Sequence, residues 1–327
     1  MKNILITGGT GFIGSNLSAA LVERGYSVRL FRRPSSDLTA IGDLDVEQVL
    51  GDLRDPDSLR KAVKGCDTVF HVGALVSYWR RQREEMYAIN IGGTRNVVEA
   101  CIAAGVERLV HTSSIAAVGY SDTGAPADET NAFNWDSLDI GYRISKFRAE
   151  EEVQRGIGMG LPAVIVNPSV VIGERDIHFN GGQIIRDVHR KRLFYYIGGG
   201  TNIAYVGDVV RGHIQAALKG RIGERYILGG KNLTYKEMLS TTAEVVGGIG
   251  PLFRLPMWAA KGIASLSEGV ARLTGTKPWI GRELVAGLHV RNWFSCEKAR
   301  RELEYTVTPF RTAVQRTFDW YRANGLL

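Results

Sequence analysis

Residues that can hold or transfer a proton stand near the middle of the chain. Thr112, Ser113 and Ser114 form a run of hydroxyls, and Tyr142 and Lys146 follow further along. Residues four apart share one face of a helix, so the lysine ammonium is expected beside the tyrosine phenol. A neighbouring positive charge favours phenolate and lowers the phenol pKa from its usual value of about 10. The spacing predicts a general acid/base, and an ordinary surface pair is the alternative.

A glycine-rich stretch near the start of the chain predicts phosphate binding. Gly8, Gly11 and Gly14 follow a short apolar strand and open a helix expected over residues 12–24. Glycines permit a tight turn and close approach to a phosphate, and the helix N-terminus offers free N–H groups. A second strand at 27–32 completes a βαβ unit, the context that this fingerprint requires. A dinucleotide site is therefore predicted, and the alternative is a glycine-rich turn without a ligand.

Strands and helices alternate from the start of the chain to residue 168. This alternation predicts an α/β fold with a doubly wound parallel sheet of the Rossmann type, whose ligands bind beyond the carboxyl ends of the strands. The predicted strands are 2–6, 27–32, 46–50, 67–71, 108–112 and 162–166, and the predicted helices are 12–24, 56–64, 84–104 and 142–159.

Two arginines at the end of the second predicted strand favour NADP over NAD. An acidic residue at this position would accept hydrogen bonds from the adenosine ribose, and an arginine cannot. Arg32 and Arg33 can instead form charge-assisted hydrogen bonds to a 2′-phosphate, and Ser35 and Ser36 add short donors. Two solvated arginines at a strand end are the alternative.

Other strand ends carry residues suited to the rest of a dinucleotide. Asp52 and Leu53 follow the third strand and could hold an adenine ring by its edge and face. The small residues 72–74 follow the fourth strand and would let backbone approach the cofactor, whereas His71 before them is more typical of a structural residue. The long loop 115–139 after Ser114 is expected to be functional.

The composition is that of an ordinary globular enzyme, with 44% apolar and 23% charged residues in 327. The net charge is +7 and the isoelectric point is about 9.3. Because the basic residues are scattered, apart from short clusters at 80–83 and 186–192, a solvated basic face or attraction of anionic ligands is favoured over nucleic-acid binding.

The cysteines and the apolar runs predict a cytoplasmic protein. Cys66, Cys101 and Cys296 form no close pair, which argues against zinc or a disulfide framework and for a reducing compartment. The first strand begins almost at Met1, which leaves no room for a signal peptide. No apolar run has the roughly 20 residues of a membrane helix.

Taken in order, these motifs resemble the extended, atypical branch of the short-chain dehydrogenase/reductase superfamily, which includes the NAD-dependent epimerases and dehydratases. The resemblance covers nearly the whole chain and is greatest to dihydroflavonol-4-reductase-like proteins and hopanoid-associated sugar epimerases. The phrases GDLRDP at 51–56 and GERYILGG at 223–230 are shared with these proteins. The motifs that carry it are the glycines at 8, 11 and 14, Asp52-Leu53, NIGGT at 90–94, TSS at 112–114, Tyr142-x-x-x-Lys146 and Asn167-Pro168-Ser169.

The resemblance implies a role for each motif. Tyr142 would protonate the nascent alkoxide, Lys146 would bond the nicotinamide ribose and tune Tyr142, and Ser114 would hold the substrate carbonyl oxygen. Asn90 would support the helix or a water. The residues implied in cofactor binding are Gly8, Thr10, Gly11, Phe12, Ile13, Gly14, Arg32, Arg33, Asp52, Leu53, Val72, Gly73, Ala74, Asn90, Thr112, Tyr142, Lys146, Pro168 and Ser169.

Residues 1–168, with 205–230 returning to them, are expected to form the NADP-binding domain, and 169–204 with 231–327 a smaller α/β substrate lobe. Trp258, Trp279 and Trp293 suit such a lobe as core residues, and none is predicted as a site. The apolar helix predicted over 259–273 is interpreted as a lobe helix, the alternative being contact with a partner or a membrane surface.

One departure from the family pattern bears on the reaction. Nucleotide-sugar epimerases of this branch carry an arginine before the stretch that begins here at Tyr205, and this chain has none there. Compensation by Arg175, Arg186 or Lys191 stays open. The departure favours an NADP(H)-dependent reductase of a ketone or aldehyde, or the reverse reaction on an alcohol.

The alternatives are a nucleotide-sugar epimerase or dehydratase with retained NAD and, third, a non-catalytic NADP-binding regulator. Such regulators usually lose the catalytic tyrosine or lysine, and both are present here. Members of this branch often pair through a four-helix bundle, which predicts a homodimer built from helices 84–104 and 142–159.

Overall fold

A seven-stranded parallel sheet forms the centre of the computed structural model, which describes residues 1–42, 44–121 and 123–327. Every adjacent pair of strands in this sheet is parallel. Its strands in chain order are β1 (Asn3–Thr7), β2 (Ser27–Arg32), β3 (Glu47–Leu50), β4 (Thr68–His71), β5 (Arg108–Thr112), β6 (Ala163–Pro168) and, after three strands of the smaller sheets, β10 (Arg225–Leu228). The spatial order is β10-β6-β5-β4-β1-β2-β3. The doubly wound sheet expected from the alternation is thereby confirmed.

Helices cover both faces of this sheet and build the C-terminal part of the chain. Strand β1 is buried on both faces, because Ile4, Leu5 and Ile6 pack against helices on either side. The helices are α1 (Phe12–Glu23), α2 (Pro56–Val63), α3 (Arg83–Tyr87), α4 (Gly93–Ala104), α5 (Gly141–Gly158), α6 (Gln183–His189), α7 (Val206–Lys219), α8 (Tyr235–Val246), α9 (Met257–Thr274), α10 (Arg282–Gly287), α11 (Glu297–Leu303) and α12 (Phe310–Ala323).

Two smaller sheets lie outside the large one. The first contains β7 (Val170–Ile172), β9 (Gly200–Tyr205), β11 (Lys231–Thr234) and β13 (Arg291–Asn292), and the second contains β8 (Tyr195–Tyr196) and β12 (Phe253–Arg254). Strand β9 pairs with the other three strands of its sheet and is buried along its whole length. One buried hydrophobic cluster extends from Leu17 and Leu21 of α1 to Phe318 of α12, so the C-terminal helices share a core with the large sheet.

The strand order reverses between β1 and β4, and the glycine-rich turn lies at this point. Gly8, directly after β1, has a φ of +71°, a conformation that favours glycine. A Cβ atom on Gly8 would lie 2.5 Å from the Cα of Gly73, directly after β4. The two strand ends therefore meet through glycine backbone, which forms the crevice where doubly wound sheets bind ligands.

The predicted long helix 84–104 is wrong as a single helix. Helix α3 ends at Tyr87, residues Ala88–Gly92 form a π-helical turn, and α4 starts at Gly93. The side chain of Asn90, inside this turn, bonds to the backbone of Leu75, and this contact accompanies the change in helical pitch.

The loop expected over 115–139 contains residue 122, which lies outside the described residues. In its described part it is more regular than expected, with short 3₁₀ turns at Ile115–Ala117 and Asp136–Leu138. Trp135 is completely buried and donates its indole N–H to the carbonyl of Val118 at 3.0 Å. This loop therefore packs as a wall beside β5.

Candidate active site

The glycine turn leaves backbone N–H groups free for an anion. Gly11 precedes helix α1, and among the described residues no side chain caps that helix. A Cβ atom on Gly14 would lie 2.1 Å from the carbonyl oxygen of Gly8, so the first turn of α1 packs directly on the end of β1. Thr10, Phe12 and Ile13 are partly exposed around the turn. These features fit a pyrophosphate, which binds at an uncapped helix N-terminus through N–H groups and the helix dipole.

The end of β2 presents two guanidinium groups. Arg32 donates from Nε to Oε1 of Gln48 at 2.7 Å, which orients its side chain, and Arg33 is exposed. Among the described residues, neither arginine forms an ion pair. The positive charge of Arg33 nevertheless contributes to lowering the pKa of Asp52. Two positively charged side chains, Arg32 and Arg33, therefore lie beside the predicted adenosine position.

The residues predicted to bind the adenine and the sugar follow strands β3 and β4. The Asp52 carboxylate accepts two hydrogen bonds from Arg54, which lowers its pKa to about 2. Leu53 packs near Gly73: a Cβ atom added to Gly73 would lie 3.2 Å from Cδ1 of Leu53. Val72 is half-buried and Ala74 is exposed, which leaves the end of β4 open. Asp52 remains an acceptor, but Arg54 occupies part of its capacity.

The structure brings the three predicted catalytic residues together at the carboxyl end of β5. Ser114 follows the strand and caps a 3₁₀ turn through its hydroxyl, which accepts from the N–H of Ala116 at 3.1 Å. Tyr142 lies in the first turn of α5, and the Ser114 side chain is near enough to its phenol to lower the phenol pKa. Lys146, one turn later, is buried and donates from Nζ to the carbonyl oxygen of Thr112 at 2.8 Å.

The predicted effect of the lysine on the tyrosine is wrong for this structure. Desolvation raises the pKa of Tyr142 above its ordinary value, and the nearby Ser114 side chain offsets only part of this rise. Lys146 is not among the groups that shift it, because the ammonium is turned toward the Thr112 carbonyl. Burial lowers the pKa of Lys146 to about 8, and the nearby Glu150 carboxylate partly opposes that shift. At neutral pH Tyr142 is therefore protonated and Lys146 charged.

Asn90 connects two segments of the protein, in line with its expected support of the helix, and its contact with the cofactor stays a prediction. Its side-chain oxygen accepts from the N–H of Leu75 at 2.8 Å. Its amide nitrogen donates to the carbonyl of Leu75 at 2.9 Å and to the hydroxyl of Ser145 at 2.9 Å. Because these bonds use both polar ends of the side chain, Asn90 joins the segment after β4 to the residue before Lys146.

His71 is structural, as the sequence suggested. Its ring bonds Thr7 at 2.7 Å and Thr94 at 3.0 Å, and burial lowers its pKa to about 3. Thr112 is fixed in a similar way, because its hydroxyl bonds the ring of His213 at 2.9 Å. Its carbonyl oxygen, rather than its hydroxyl, faces the site through Lys146.

The end of β6 adds a second layer of polar groups that sequence reasoning missed. Asn167 donates from Nδ2 to the carbonyl of Ser114 at 2.9 Å and to Glu150 at 2.6 Å. This contact fixes the backbone that carries the catalytic serine. Pro168 ends the strand, and the buried Ser169 hydroxyl has no partner among the described residues. The Asn-Pro-Ser motif signalled the place but not the bond to Ser114.

Arg143 is a further residue that the sequence did not single out. Its guanidinium lies 3.5 Å from the centre of the Trp135 ring and donates to Asn292 at 3.0 Å. The Nη1 atom is shielded from solvent and has no partner among the described residues. Burial raises the pKa of the Tyr142 and Tyr78 phenols, and the charge of Arg143 partly opposes this rise. The two phenol rings meet edge to face at 5.7 Å. A cation therefore stands beside the tyrosines, and no motif marks it.

The position of the missing epimerase arginine is occupied by buried strand. Asn202 in β9 is completely buried and bonds Asn232 at 2.6 Å. Two of the three cations considered as substitutes have other contacts. Arg186 pairs with Asp187 at 3.1 Å and stacks on Phe179, and Arg175 donates to the carbonyl of Ala40.

Comparison with known proteins agrees with this geometry. Residues 4–229 match the model of the NAD dependent epimerase/dehydratase family. A protein from Synechocystis named as a dihydroflavonol 4-reductase is 35% identical over 98% of this chain and 94% of its own length. The solved structure of gox2253 superposes with a TM-score of 0.88 at 40% identity, with full coverage of both chains.

A nucleoside-diphosphate-sugar epimerase from Pseudomonas aeruginosa has the same fold, with a TM-score of 0.82 and 28% identity over 100% of this chain and 99% of that one. Reductases and epimerases thus both stand among the similar proteins. The strand ends, the glycine turn and the family match lead to one conclusion. The chain belongs to the NAD-dependent epimerase/dehydratase family and is an NAD(P)-dependent enzyme of the extended short-chain dehydrogenase/reductase superfamily.

Proposed function

We propose that this enzyme uses NADP(H) to transfer a hydride between the nicotinamide and a ketone, an aldehyde or the corresponding alcohol. The observation that carries the proposal is the meeting of Ser114, Tyr142 and Lys146 at the carboxyl end of β5. This end belongs to the same sheet edge as the uncapped start of α1, where ligands of doubly wound sheets bind. The similarity to a protein named as a dihydroflavonol 4-reductase supports the reductive reading.

NADP(H), when bound, supplies or accepts the hydride. The turn at Gly8, Gly11 and Gly14 would hold the pyrophosphate through backbone N–H groups. Arg32 and Arg33 support the preference for a 2′-phosphate, since a guanidinium forms strong charge-assisted hydrogen bonds to phosphate oxygens.

Tyr142 is the proposed proton donor in the reductive direction. A general acid must be protonated before it reacts, and the raised pKa of Tyr142 keeps the phenol protonated at neutral pH. An alkoxide is far more basic than a phenolate, so transfer from Tyr142 to the substrate oxygen is downhill. The Ser114 hydroxyl, close to the phenol, would hold the same oxygen. Tyr142 and Ser114 thus orient the carbonyl for attack on one face.

Lys146 would act through its charge. With a pKa of about 8 it carries a proton at neutral pH, and the Thr112 carbonyl fixes its direction. The cation would bond the nicotinamide ribose. We assign the remaining residues, 169–204 and 231–327, to the substrate lobe. Arg143 is proposed to face the substrate, where its shielded Nη1 could bind an oxygen next to the reacting carbon.

The test is a titration of purified protein with NADPH and NADH, after mass spectrometry for nucleotide that co-purifies. We expect NADPH to bind more tightly, and Arg32→Asp to weaken NADPH by about 10- to 100-fold while sparing NADH, because a bond to a charged group contributes about 1.5–3 kcal/mol. Arg24→Asp, at an exposed position near the far end of α1, is the matched control. Equal affinity for the two cofactors would contradict the NADP assignment.

A nucleotide-sugar epimerase with retained NAD is the second candidate, favoured by the similarity to the epimerase from Pseudomonas aeruginosa. It predicts NAD that stays bound through purification and a pocket for a diphosphate. The lack of an arginine in buried strand β9 before Tyr205, and the pairing of Arg186 with Asp187, argue against such a pocket. Tightly bound NAD in the mass spectrum would reverse the preference and call for a screen of nucleotide sugars.

A further inference from the structure

Large apolar side chains are exposed along one segment of the chain. More than half of the exposed large hydrophobic residues in the described chain lie between residues 249 and 284. In this segment the exposed fraction is 90% for Leu273, 78% for Trp258, 66% for Leu266 and 64% for Trp279. We refer to these four residues as the α9 apolar surface. Monomeric proteins rarely expose contiguous apolar patches unless the patch has a binding role.

The pattern of helix α9 explains why this surface is left uncovered. Its buried face consists of small residues at helical spacing, Ala260, Ala264, Ser267 and Ala271. Ala260 and Ala264 pack against Val285 of α10 in a small separate cluster. Trp258, Leu266 and Leu273 lie on the rest of the helix circumference, where a surface helix of a globular protein usually carries polar residues, and Trp279 follows the helix. Packing within the chain therefore does not account for them.

The segment that contains the α9 apolar surface also carries five basic residues. None of the five basic side chains between residues 249 and 284 takes part in an ion pair among those of the described residues. The two acidic residues of the segment are engaged, since Glu283 is buried against Arg83 and Glu268 accepts from the backbone N–H of Arg282. The five basic residues are Arg254, Lys261, Arg272, Lys277 and Arg282.

We propose that the α9 apolar surface attaches this protein to the face of an anionic lipid bilayer. Exposed tryptophan and leucine next to lysine and arginine is the composition of an interfacial membrane-binding helix, since apolar groups enter the lipid and cations meet the headgroups. A second copy of the chain would bring cations of the same sign together at the interface, which disfavours a dimer through this surface. The attachment is peripheral, because among the described residues no helix is both long and apolar enough to span a bilayer.

The surface is connected to the candidate active site. Gly281, just before α10, lies against the backbone of Tyr78, with 2.8 Å between its Cβ position and the Tyr78 carbonyl oxygen. Glu283 accepts from the backbone N–H of Gly141, the residue before Tyr142. A bilayer at α9 would lie beside the segment that leads to the tyrosines. If the proposed reaction holds, an apolar substrate could then pass from the lipid to the site.

Co-sedimentation with lipid vesicles tests the attachment without any measurement of turnover. Its result is therefore independent of whether the proposed reaction is correct. The vesicles contain phosphatidylcholine with or without phosphatidylglycerol. We expect binding to the anionic vesicles, weakened by salt. Leu266→Ser with Leu273→Ser should reduce the partition coefficient by at least about tenfold. The matched control, Leu218→Ser with Ile222→Ser, removes two exposed apolar residues elsewhere and should leave it unchanged.

The charges are tested separately. Lys261→Glu with Arg272→Glu should abolish the preference for anionic vesicles, whereas Arg24→Glu with Lys64→Glu, also exposed, should not. Thermal melts and NADPH affinity, measured beside each binding curve, verify that the variants are folded. Wild-type protein that ignores the vesicles, or variants that bind like wild type, would overturn the proposal. A dimer in sedimentation velocity that Leu273→Ser dissociates would assign the surface to a second copy instead.

Discussion

Helices α5 and α9 are equally long, 18 residues each, yet they differ in which side chains they bury and which they expose to water. Helix α5 buries polar and charged side chains, Ser145, Lys146 and Glu150, and each has a hydrogen-bond or ion-pair partner. Helix α9 buries only alanines and one serine, and it exposes Trp258, a leucine pair and other apolar residues. Each helix departs from the usual amphipathic pattern. Each departure stands where the molecule is proposed to meet another molecule.

The contrast separates two kinds of functional surface. On α5 the groups are fixed before any ligand arrives, as proton transfer requires, because a misplaced acid cannot reach the reacting oxygen. On α9 the side chains are long, apolar and unconstrained by neighbours, as an adaptable lipid contact requires. We therefore expect the buried polar groups of α5 to lower the stability of the fold, and the exposed face of α9 to tolerate substitution.

The largest expected effect follows from Tyr142→Phe on α5. Loss of the phenol oxygen removes the proton donor, and we expect the turnover number for carbonyl reduction to fall by about 100- to 10,000-fold. The affinity for NADPH should stay nearly unchanged, because the glycine turn and Arg32 are intact. Steady-state kinetics and a fluorescence titration with NADPH measure the two quantities. Full turnover in this variant would remove Tyr142 from the mechanism.

A second prediction concerns the cost of burying a charge on α5. The pKa of Lys146 is about 8 in the folded protein and about 10.5 when unfolded, so between these values the unfolded chain binds more protons. Stability must therefore rise as the pH increases through this window. Between pH 7.5 and 9.5 the contribution of Lys146 should amount to about 2 kcal/mol of the free energy of unfolding.

The variant Lys146→Met should lose this pH-dependent gain, as measured by urea unfolding of the cofactor-free protein at both pH values. The matched substitution on α9, Lys261→Met, replaces an exposed lysine and should leave the gain intact. An identical pH response in wild type and Lys146→Met would show that burial of this ammonium carries no cost. The comparison between the two helices would then lose its energetic basis.

The sequence was sufficient wherever backbone geometry restricts the residue type. The turn at Gly8, Gly11 and Gly14, the parallel sheet and the gathering of Ser114, Tyr142 and Lys146 follow from spacing and from the rule that strand ends face one edge. The orientation of the side chains could not be predicted from the sequence. The direction of Lys146 depends on where the Thr112 carbonyl points, so the expected lowering of the pKa of Tyr142 did not hold.

Contacts between distant segments were also hidden from the sequence. The bond from Asn167 to Ser114 spans 53 residues, and the one from Arg143 to Asn292 spans 149. Neither follows a local period. Trp258 and Trp279 look like core residues by composition but are exposed, and for Trp258 the reason is that small residues form the buried face of α9. Hydrophobicity predicted burial here, and packing decided otherwise.

The smallest expected effects come from the same substitution in both helices. A Cβ atom at Gly156 of α5 would lie 2.5 Å from Cγ1 of Val98, a stiff β-branched neighbour, whereas at Gly262 of α9 no atom of the described residues lies within 4 Å. Gly156→Ala should therefore cost about 1–2 kcal/mol through overpacking. Gly262→Ala should stabilise by about 0.5–1 kcal/mol, because alanine loses less entropy in a helix. Urea unfolding of both variants measures the difference. A loss of stability in Gly262→Ala would mean that another surface already packs against α9 in solution, and it would turn the vesicle experiment into a search for that partner.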